Sequence, residues 1–326
     1  MTKKLKRPPT ISVVMSVYNG GQFLALAIQS ILDQTFKNFE FIIIDDGSTD
    51  DSAKVIKSFN DPRIKFIRQK NIGLVASLNK GIALARGEFI ARMDDDDISL
   101  PERFEKELIA ITADQSIGVV GSFYTFIDTA DKPLATHVSP TLHQDLRFAL
   151  LNANPYGHGS VLIRKEALVK TGLYRDDYPA AEDYDLWRRI ARHWKLAQIP
   201  ESLYWWRQNP EGISSTRNRT QIKSSNRITQ ELWKEVIPAI TVLSVRKNNK
   251  YYKNLDTAYG EKISKKYLDC LVKISLGAIV RHKPRTFLRT TCGLVLSSPR
   301  KFCKLLYLIG RGFIKNILIK LRLYHK

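Results

Sequence analysis

Hydrophobic and polar positions follow two rhythms along the first 130 residues. A continuous apolar run at 11–17 and strand-like segments at 39–44, 64–67 and 88–93 alternate with stretches whose apolar residues recur at helical spacing. Leu24, Ala27, Ile28 and Ile31 form one such stripe, and Leu74, Leu78, Ile82 and Ala85 another. Runs that are apolar throughout mark strands covered on both faces. Repeated strand–helix–strand units predict a parallel sheet with helices on both sides, an α/β fold. Local signals agree. Thr49-Asp50-Asp51-Ser52 sets acids at the positive end of a helix. Gly87 can close the helix before the fourth strand, and Ser99-Leu100-Pro101-Glu102 reads as the start of the next. Beyond 117 the pattern is mixed: β-like at 117–127, helical at 142–151, and a loop entering a strand at 157–163. Leu186, Ile190 and Trp194 at i, i+4, i+8 predict a helix that continues through Trp194.

Parallel sheets bind ligands outside the carboxyl ends of their strands. Here those ends are 16–21, 45–48 and 94–97, all rich in polar, acidic or glycine residues. The last is the run Asp94-Asp95-Asp96-Asp97. Adjacent carboxylates repel and raise one another's pKa. A hard divalent ion removes that cost and brings charge that holds a diphosphate. Alone, the run reads equally as a solvated acidic turn; convergence of three such loops favours the metal site. A dinucleotide fold is disfavoured, because Asn19-Gly20-Gly21-Gln22-Phe23-Leu24 lacks the G-x-G-x-x-G spacing. Asp183, at a helix start beside aromatic residues, suits a general base or a helix cap, and spacing alone favours the cap. His158, between two glycines, reads as a loop histidine, and Trp205-Trp206 as strand residues half in the core.

Charge changes the picture at the C-terminal end. The 326 residues are 44% hydrophobic and carry a net charge of +20. Residues 241–326 hold 20 Lys and Arg against Asp256, Glu261 and Asp269 only, so nearly all the excess lies there. Phe302, Leu305, Leu306, Ile309, Phe313, Ile317 and Leu321 keep helical spacing, with Arg300, Lys304, Arg311, Lys315 and Arg322 opposite. A basic amphipathic helix without balancing acids suits an anionic membrane surface. The competing reading is a helix packed on the preceding domain, and nucleic acid ranks third because few aromatics are present for stacking. Cys270, Cys292 and Cys303 suit neither a disulfide framework nor a zinc site, and free thiols fit the cytosol. The run at 11–17 is short and lacks a cleavage signal, so it reads as a strand rather than a signal peptide. No apolar stretch reaches the ~20 residues of a membrane span.

Four motifs then carry a resemblance. They are Ser12-Val13-Val14-Met15-Ser16-Val17-Tyr18-Asn19-Gly20, Phe41-Ile42-Ile43-Ile44-Asp45-Asp46-Gly47-Ser48, Arg92-Met93-Asp94-Asp95-Asp96-Asp97, and Glu182-Asp183-Tyr184-Asp185-Leu186-Trp187. In this order they resemble the family 2 glycosyltransferases over about residues 10–215. The resemblance implies a GT-A fold at 10–216, with a Rossmann-like nucleotide-binding half (10–130) and an acceptor half (131–216). A basic segment (1–9) precedes it and a helical basic region (217–326) follows. It implies inverting transfer from a nucleotide-sugar, usually a UDP-sugar, to a saccharide or lipid-linked saccharide acceptor in cell-surface glycan synthesis. Such an enzyme would work in the cytoplasm, at the inner face of the membrane.

By position, the resemblance has Ser16, Tyr18 and Asn19 bordering the nucleotide and Asp46 accepting a hydrogen bond from uracil. Asp94 and Asp96 match its DxD pattern for Mg²⁺ or Mn²⁺, with Asp96 the favoured direct ligand. Asp94, Asp95 and Asp96 divide ribose and metal between them in an order left open. Asp183 is the implied base. Where relatives often carry Arg-x-His, this chain has Arg207-Gln208-Asn209. The chemistry is coherent: an ion offsets charge on the leaving diphosphate, and a carboxylate within about 3 Å of the acceptor hydroxyl takes its proton. A retaining enzyme needs a nucleophile on the other sugar face, and nothing marks one. A nucleotidyltransferase needs a lysine-rich phosphate loop, absent at 18–23. A non-catalytic relative predicts loss of the acids, which are present.

Overall fold

The computed structural model describes residues 8–245. The basic helix expected over 300–322 and most of the segment 1–9 lie outside the described residues. In chain order the elements are β1 (Ile11–Val17), α1 (Leu24–Leu32), β2 (Phe39–Asp45), α2 (Ser52–Ser58), β3 (Ile64–Arg68), α3 (Leu74–Leu84), β4 (Phe89–Met93), β5 (Ile98–Ser99) and α4 (Arg103–Ala113). They continue with β6 (Ile117–Ile127), β7 (Pro133–His137), α5 (His143–Ala149), β8 (Val161–Arg164), α6 (Lys165–Thr171), α7 (Glu182–Ile190), β9 (Lys195–Arg207), α8 (Ile213–Thr216) and α9 (Asn218–Val245).

One sheet runs β3-β2-β1-β4-β8-β6-β9-β5, with β7 added on β6. The first four strands are all parallel. The remainder is mixed: β8 is antiparallel to β4 and β6, while β9 runs parallel to β6. The expected α/β architecture is therefore present, its parallel part confined to the N-terminal half. The strand order reverses at β1, flanked by β2 and β4, and a crevice opens at the carboxyl ends there.

Alternation along each strand sends side chains to two cores. Val13, Met15, Phe41 and Ile43 meet Leu24, Ile28 and Ile31 of α1 and Phe104 of α4 on one face. Val14, Ile42, Ile44 and Ile90 meet Leu78 and Ile82 of α3 and Leu186 and Trp187 of α7 on the other. Both faces being covered, the apolar runs have no polar alternation. The compact unit runs on to Ile237, and α9 joins its core through the fully buried Ile228.

Two boundaries differ from expectation. The helix predicted through Trp194 stops at Ile190; residues 191–194 turn back so that Lys195 can donate from its backbone to Ser116 O (2.8 Å) and start β9. The helix expected over 142–151 is the shorter α5.

Candidate active site

The loops after β1 and β2 are stitched together. The Asn19 N–H donates to Ser48 Oγ (3.0 Å), Thr49 N–H donates to Asn19 Oδ1 (2.8 Å), and Gly20 N–H donates to Ser52 Oγ (2.9 Å). Asn19 has φ 54°, in the left-handed region that asparagine tolerates better than most residues. Ser16 is half-buried at the strand end, and Tyr18 stands 52% exposed, its ring open to solvent. Asp46 is buried. Its Oδ1 accepts from Gln69 Nε2 (2.8 Å) and Ile72 N–H (3.0 Å), and its Oδ2 from Gly73 N–H (2.9 Å). In this structure Asp46 anchors the segment leading into α3. Gln69, which sequence reasoning missed, ties it further to Ser77 Oγ (2.8 Å) and Lys80 (2.6 Å).

The four acids after β4 have four different surroundings. Asp94 pairs with the buried guanidinium of Arg92, the last strand position but one. Asp95 faces the β1 loop: a Cβ added to Gly20 would lie 3.1 Å from Asp95 Oδ2. Asp96 Oδ2 accepts from Asn209 Nδ2 (2.9 Å). Asp97 is buried and committed to the sheet, accepting from Tyr204 OH (2.8 Å) and Arg207 N–H (2.7 Å). Arg207 also donates through Nε to Asp96 O (2.7 Å), so β9 clamps the run from behind. The Cβ of an alanine at Gly159 would lie 1.9 Å from Tyr204 OH, which is why a glycine precedes β8 here.

Burial, and then repulsion from Asp96 and Asp94, push the Asp95 carboxyl up to about 8. Burial and Asp94 push Asp96 up as well. Asp94, Asp95 and Asp96 thus offer hard oxygen donors, with the buried cation Arg92 beside them. Among the described residues, no three His, Cys, Asp or Glu side chains converge on one point. That donor set fits an ion such as Mg²⁺, which is held by one or two carboxylates and completes its shell with substrate phosphates and water.

Asp183 lies in the first turn of α7, whose N-cap is Ala181 with no side-chain capping bond. The cap favoured by spacing is therefore not its role. Its Oδ1 accepts from Tyr184 N–H (2.7 Å) and its Oδ2 from Asn154 Nδ2 (2.6 Å). Burial pushes this carboxyl up to about 6, against the two hydrogen bonds, and pushes the adjacent Glu182 up to about 7. Arg92 and Asp94 also act on Asp183, so the acid run and the α7 carboxylate share one electrostatic neighbourhood. The loop before α7 holds Ala180 at φ 59°, a conformation costing an L-residue about 1–2 kcal/mol.

The neighbouring Asp185 is structural. It is fully buried and binds both Arg188 Nε (2.9 Å) and Arg189 Nε (2.8 Å). Asp185→Ala should cost about 3 kcal/mol by leaving buried guanidinium groups short of an acceptor. The check is urea unfolding, in which the midpoint drops at constant slope; an unchanged midpoint would contradict this account. His158 sits in a short turn with Nε2 2.8 Å from Tyr174 OH. Burial, and secondarily Arg92, hold its pKa well below the usual value, so it is a neutral partner of Tyr174. Trp205 and Trp206 are half-buried, as expected, with Trp206 against Phe126.

Comparison with known proteins agrees with this geometry. The model of "Glycosyl transferase family 2" matches residues 12–173. An uncharacterized glycosyltransferase of Haemophilus influenzae is 34% identical over 242 residues, spanning 68% of this chain and 73% of that one. The amylovoran biosynthesis glycosyltransferase AmsE of Erwinia amylovora is 29% identical over 219 residues, spanning 65% and 82%. Among solved structures, S. aureus TarS in complex with UDP-GlcNAc superposes with a TM-score of 0.54 at 17% identity, over 64% of this chain and 61% of that chain. The mannosyltransferase PcManGT from Pyrobaculum calidifontis, in complex with GDP-Man and Mn²⁺, superposes with a TM-score of 0.53 at 16% identity, over 95% and 87%. Four ordered motifs, a parallel sheet with acids at its carboxyl edge, and these matches lead to one conclusion: the chain is a glycosyltransferase of family 2 with the GT-A fold.

Proposed function

We propose that the protein is a metal-dependent, inverting glycosyltransferase. Its donor is a nucleoside-diphosphate sugar, a UDP-sugar first, and its acceptor a saccharide or lipid-linked saccharide in cell-surface polysaccharide synthesis. The observation that carries this reading is the pairing of two features across one crevice. One is an acid cluster at the carboxyl end of β4; the other is a separate carboxylate, Asp183, whose pKa is raised toward neutrality.

The parts divide the chemistry as follows. Ser16, Tyr18 and Asn19 border the nucleoside, with the exposed Tyr18 ring available to the base, and Asp46 shapes that end of the pocket and takes a hydrogen bond from uracil. Asp96 and Asp94 would hold Mg²⁺ or Mn²⁺, with Asp95 toward the ribose. The bound ion would neutralise charge on the leaving diphosphate. Asn209 steadies Asp96, and Arg92 steadies Asp94. Asp183 accepts the proton of the acceptor hydroxyl as that oxygen bonds to the anomeric carbon. The bond from that carbon to the diphosphate breaks on the opposite face, and the nucleoside diphosphate leaves with the electron pair. One carboxylate as base and no second nucleophile is the set for inversion. The test is a donor screen that follows release of UDP or another nucleoside diphosphate. Release stimulated by Mn²⁺ and a saccharide supports the reading; no release from any nucleotide-sugar sinks it.

For location, we propose the cytoplasmic face of the cell membrane, with the basic segment 300–322 docked on anionic lipid where lipid-linked acceptors lie. Among the described residues no helix is long and apolar enough to cross a membrane. The full chain should co-sediment with phosphatidylglycerol vesicles at low salt, and a chain ending at Lys250 should not. Equal binding by the two would refute the docking role.

A further inference from the structure

A cleft of about 240 Å³ opens beside Asp183. Asn154 and Asp183 line one part of it, and Gln221, Ile222, Ser225 and Asn226 of α9 line another. The family match ends at 173 and α9 begins at 218, so these four residues belong to a part of the chain that the match does not reach.

α9 is held firmly just beyond the cleft. Ile228 is fully buried in the core. Thr229 Oγ1 lies 3.3 Å from Tyr184 OH. Glu231 accepts from Tyr178 OH (2.6 Å) and from Arg188 Nη1 (2.8 Å). These contacts fasten α9 to α7, the helix that carries Asp183, so the cleft wall and the base keep one geometry. The cleft residues themselves are uncommitted. The side chains of Gln221, Ser225 and Asn226 make no hydrogen bond among the described residues. Ile222 is 53% exposed beside them. Two amides and a hydroxyl around an aliphatic surface match a sugar ring, which has hydroxyls at its edge and C–H groups on its face. The volume is below the roughly 300 Å³ where pockets for drug-sized ligands begin. It suits one ring rather than an extended chain.

We propose that the first turns of α9 are the acceptor-selecting wall of the enzyme. The terminal sugar of the acceptor sits in this cleft, with Gln221, Ser225 and Asn226 reading its hydroxyls, Ile222 against its face, and the reacting hydroxyl at Asp183. This rests on the glycosyl-transfer reading above and adds to it the residues that choose the acceptor.

The test uses the full chain with methyl glycosides of glucose, galactose, mannose and N-acetylglucosamine as acceptors. UDP-glucose, UDP-N-acetylglucosamine and GDP-mannose serve as donors. Ser225→Trp, which fills the cleft, should raise the acceptor KM at least about tenfold and change the donor KM by less than about twofold. Gln230→Trp, exposed on the same helix outside the cleft, should keep the wild-type acceptor KM. A wild-type acceptor KM in Ser225→Trp overturns the proposal. Saturation-transfer NMR of the same glycosides reads binding without transfer: the contact should disappear in Ser225→Trp, and its persistence overturns the proposal equally. If the glycosides bind in an α9-dependent way but no donor supports transfer, the transfer reading fails while the assignment of the cleft stands.

Discussion

Replacing Asp183 with Asn should lower the rate of sugar transfer about 10³-fold while nucleotide affinity stays within about twofold, since a positioned base contributes roughly 10²–10⁴. The substitution keeps the shape of the side chain and removes only its capacity to take a proton. The nucleotide loops, at the ends of β1 and β2, do not touch it. Isothermal calorimetry with UDP and a transfer assay separate the two quantities; transfer within tenfold of wild type would remove Asp183 from the base role. The same carboxylate sets the pH profile. It works only when deprotonated, and burial raises its pKa to about 6. The rate should therefore be level above that value and fall as pH drops through it, well above the ordinary aspartate range near 4. Asn154 donates to the charged form, so Asn154→Ala should move this acid limb to higher pH. A limb that stays in place would show that the limb belongs to another group.

Asp96→Ala should weaken Mn²⁺-dependent UDP binding by about 100-fold, since even the partners of a metal ligand are worth 10–100-fold. The expectation rests on surroundings rather than on the sequence pattern alone. Of the four acids, Asp97 is spent on Tyr204 and Arg207, while Asp94 gives one oxygen, Oδ1, to Arg92 and keeps the other. Asp96 keeps one oxygen clear of Asn209, which uses Oδ2. Calorimetry with and without Mn²⁺ gives the answer directly. Metal-dependent affinity that is unchanged in Asp96→Ala would pass the ligand role to Asp94 or Asp95.

Much of the site was legible from sequence because parallel α/β sheets localise it by rule. A strand that is apolar throughout must be covered on both faces, and its polar exit must lie at the carboxyl edge. Residues 16–21, 45–48 and 94–97 could thus be brought together without coordinates. What was not legible depends on side-chain direction in irregular backbone. Periodicity says where residues on a helix or strand point, but it is silent in the turn at 94–97. Whether Asp97 faces a metal or the sheet is decided by Tyr204, 107 positions away. The cap reading of Asp183 from spacing failed for a related reason. Cap and first-turn positions differ by two residues, and the choice between them is made by the strained loop at Ala180.

The sequence by itself determined the parallel half of the sheet, the convergence of its three loops and the excess of carboxylates there, because each follows from local pattern and strand order. Only the tertiary structure decided how the four acids divide their work. One is committed to the sheet, one to Arg92, one to Asn209, and one is left against Gly20. Only the structure, too, brought α9 beside Asp183. Apart from the Arg92–Asp94 pair, those decisions are made by contacts between residues distant in the chain, and no periodicity in the sequence records them.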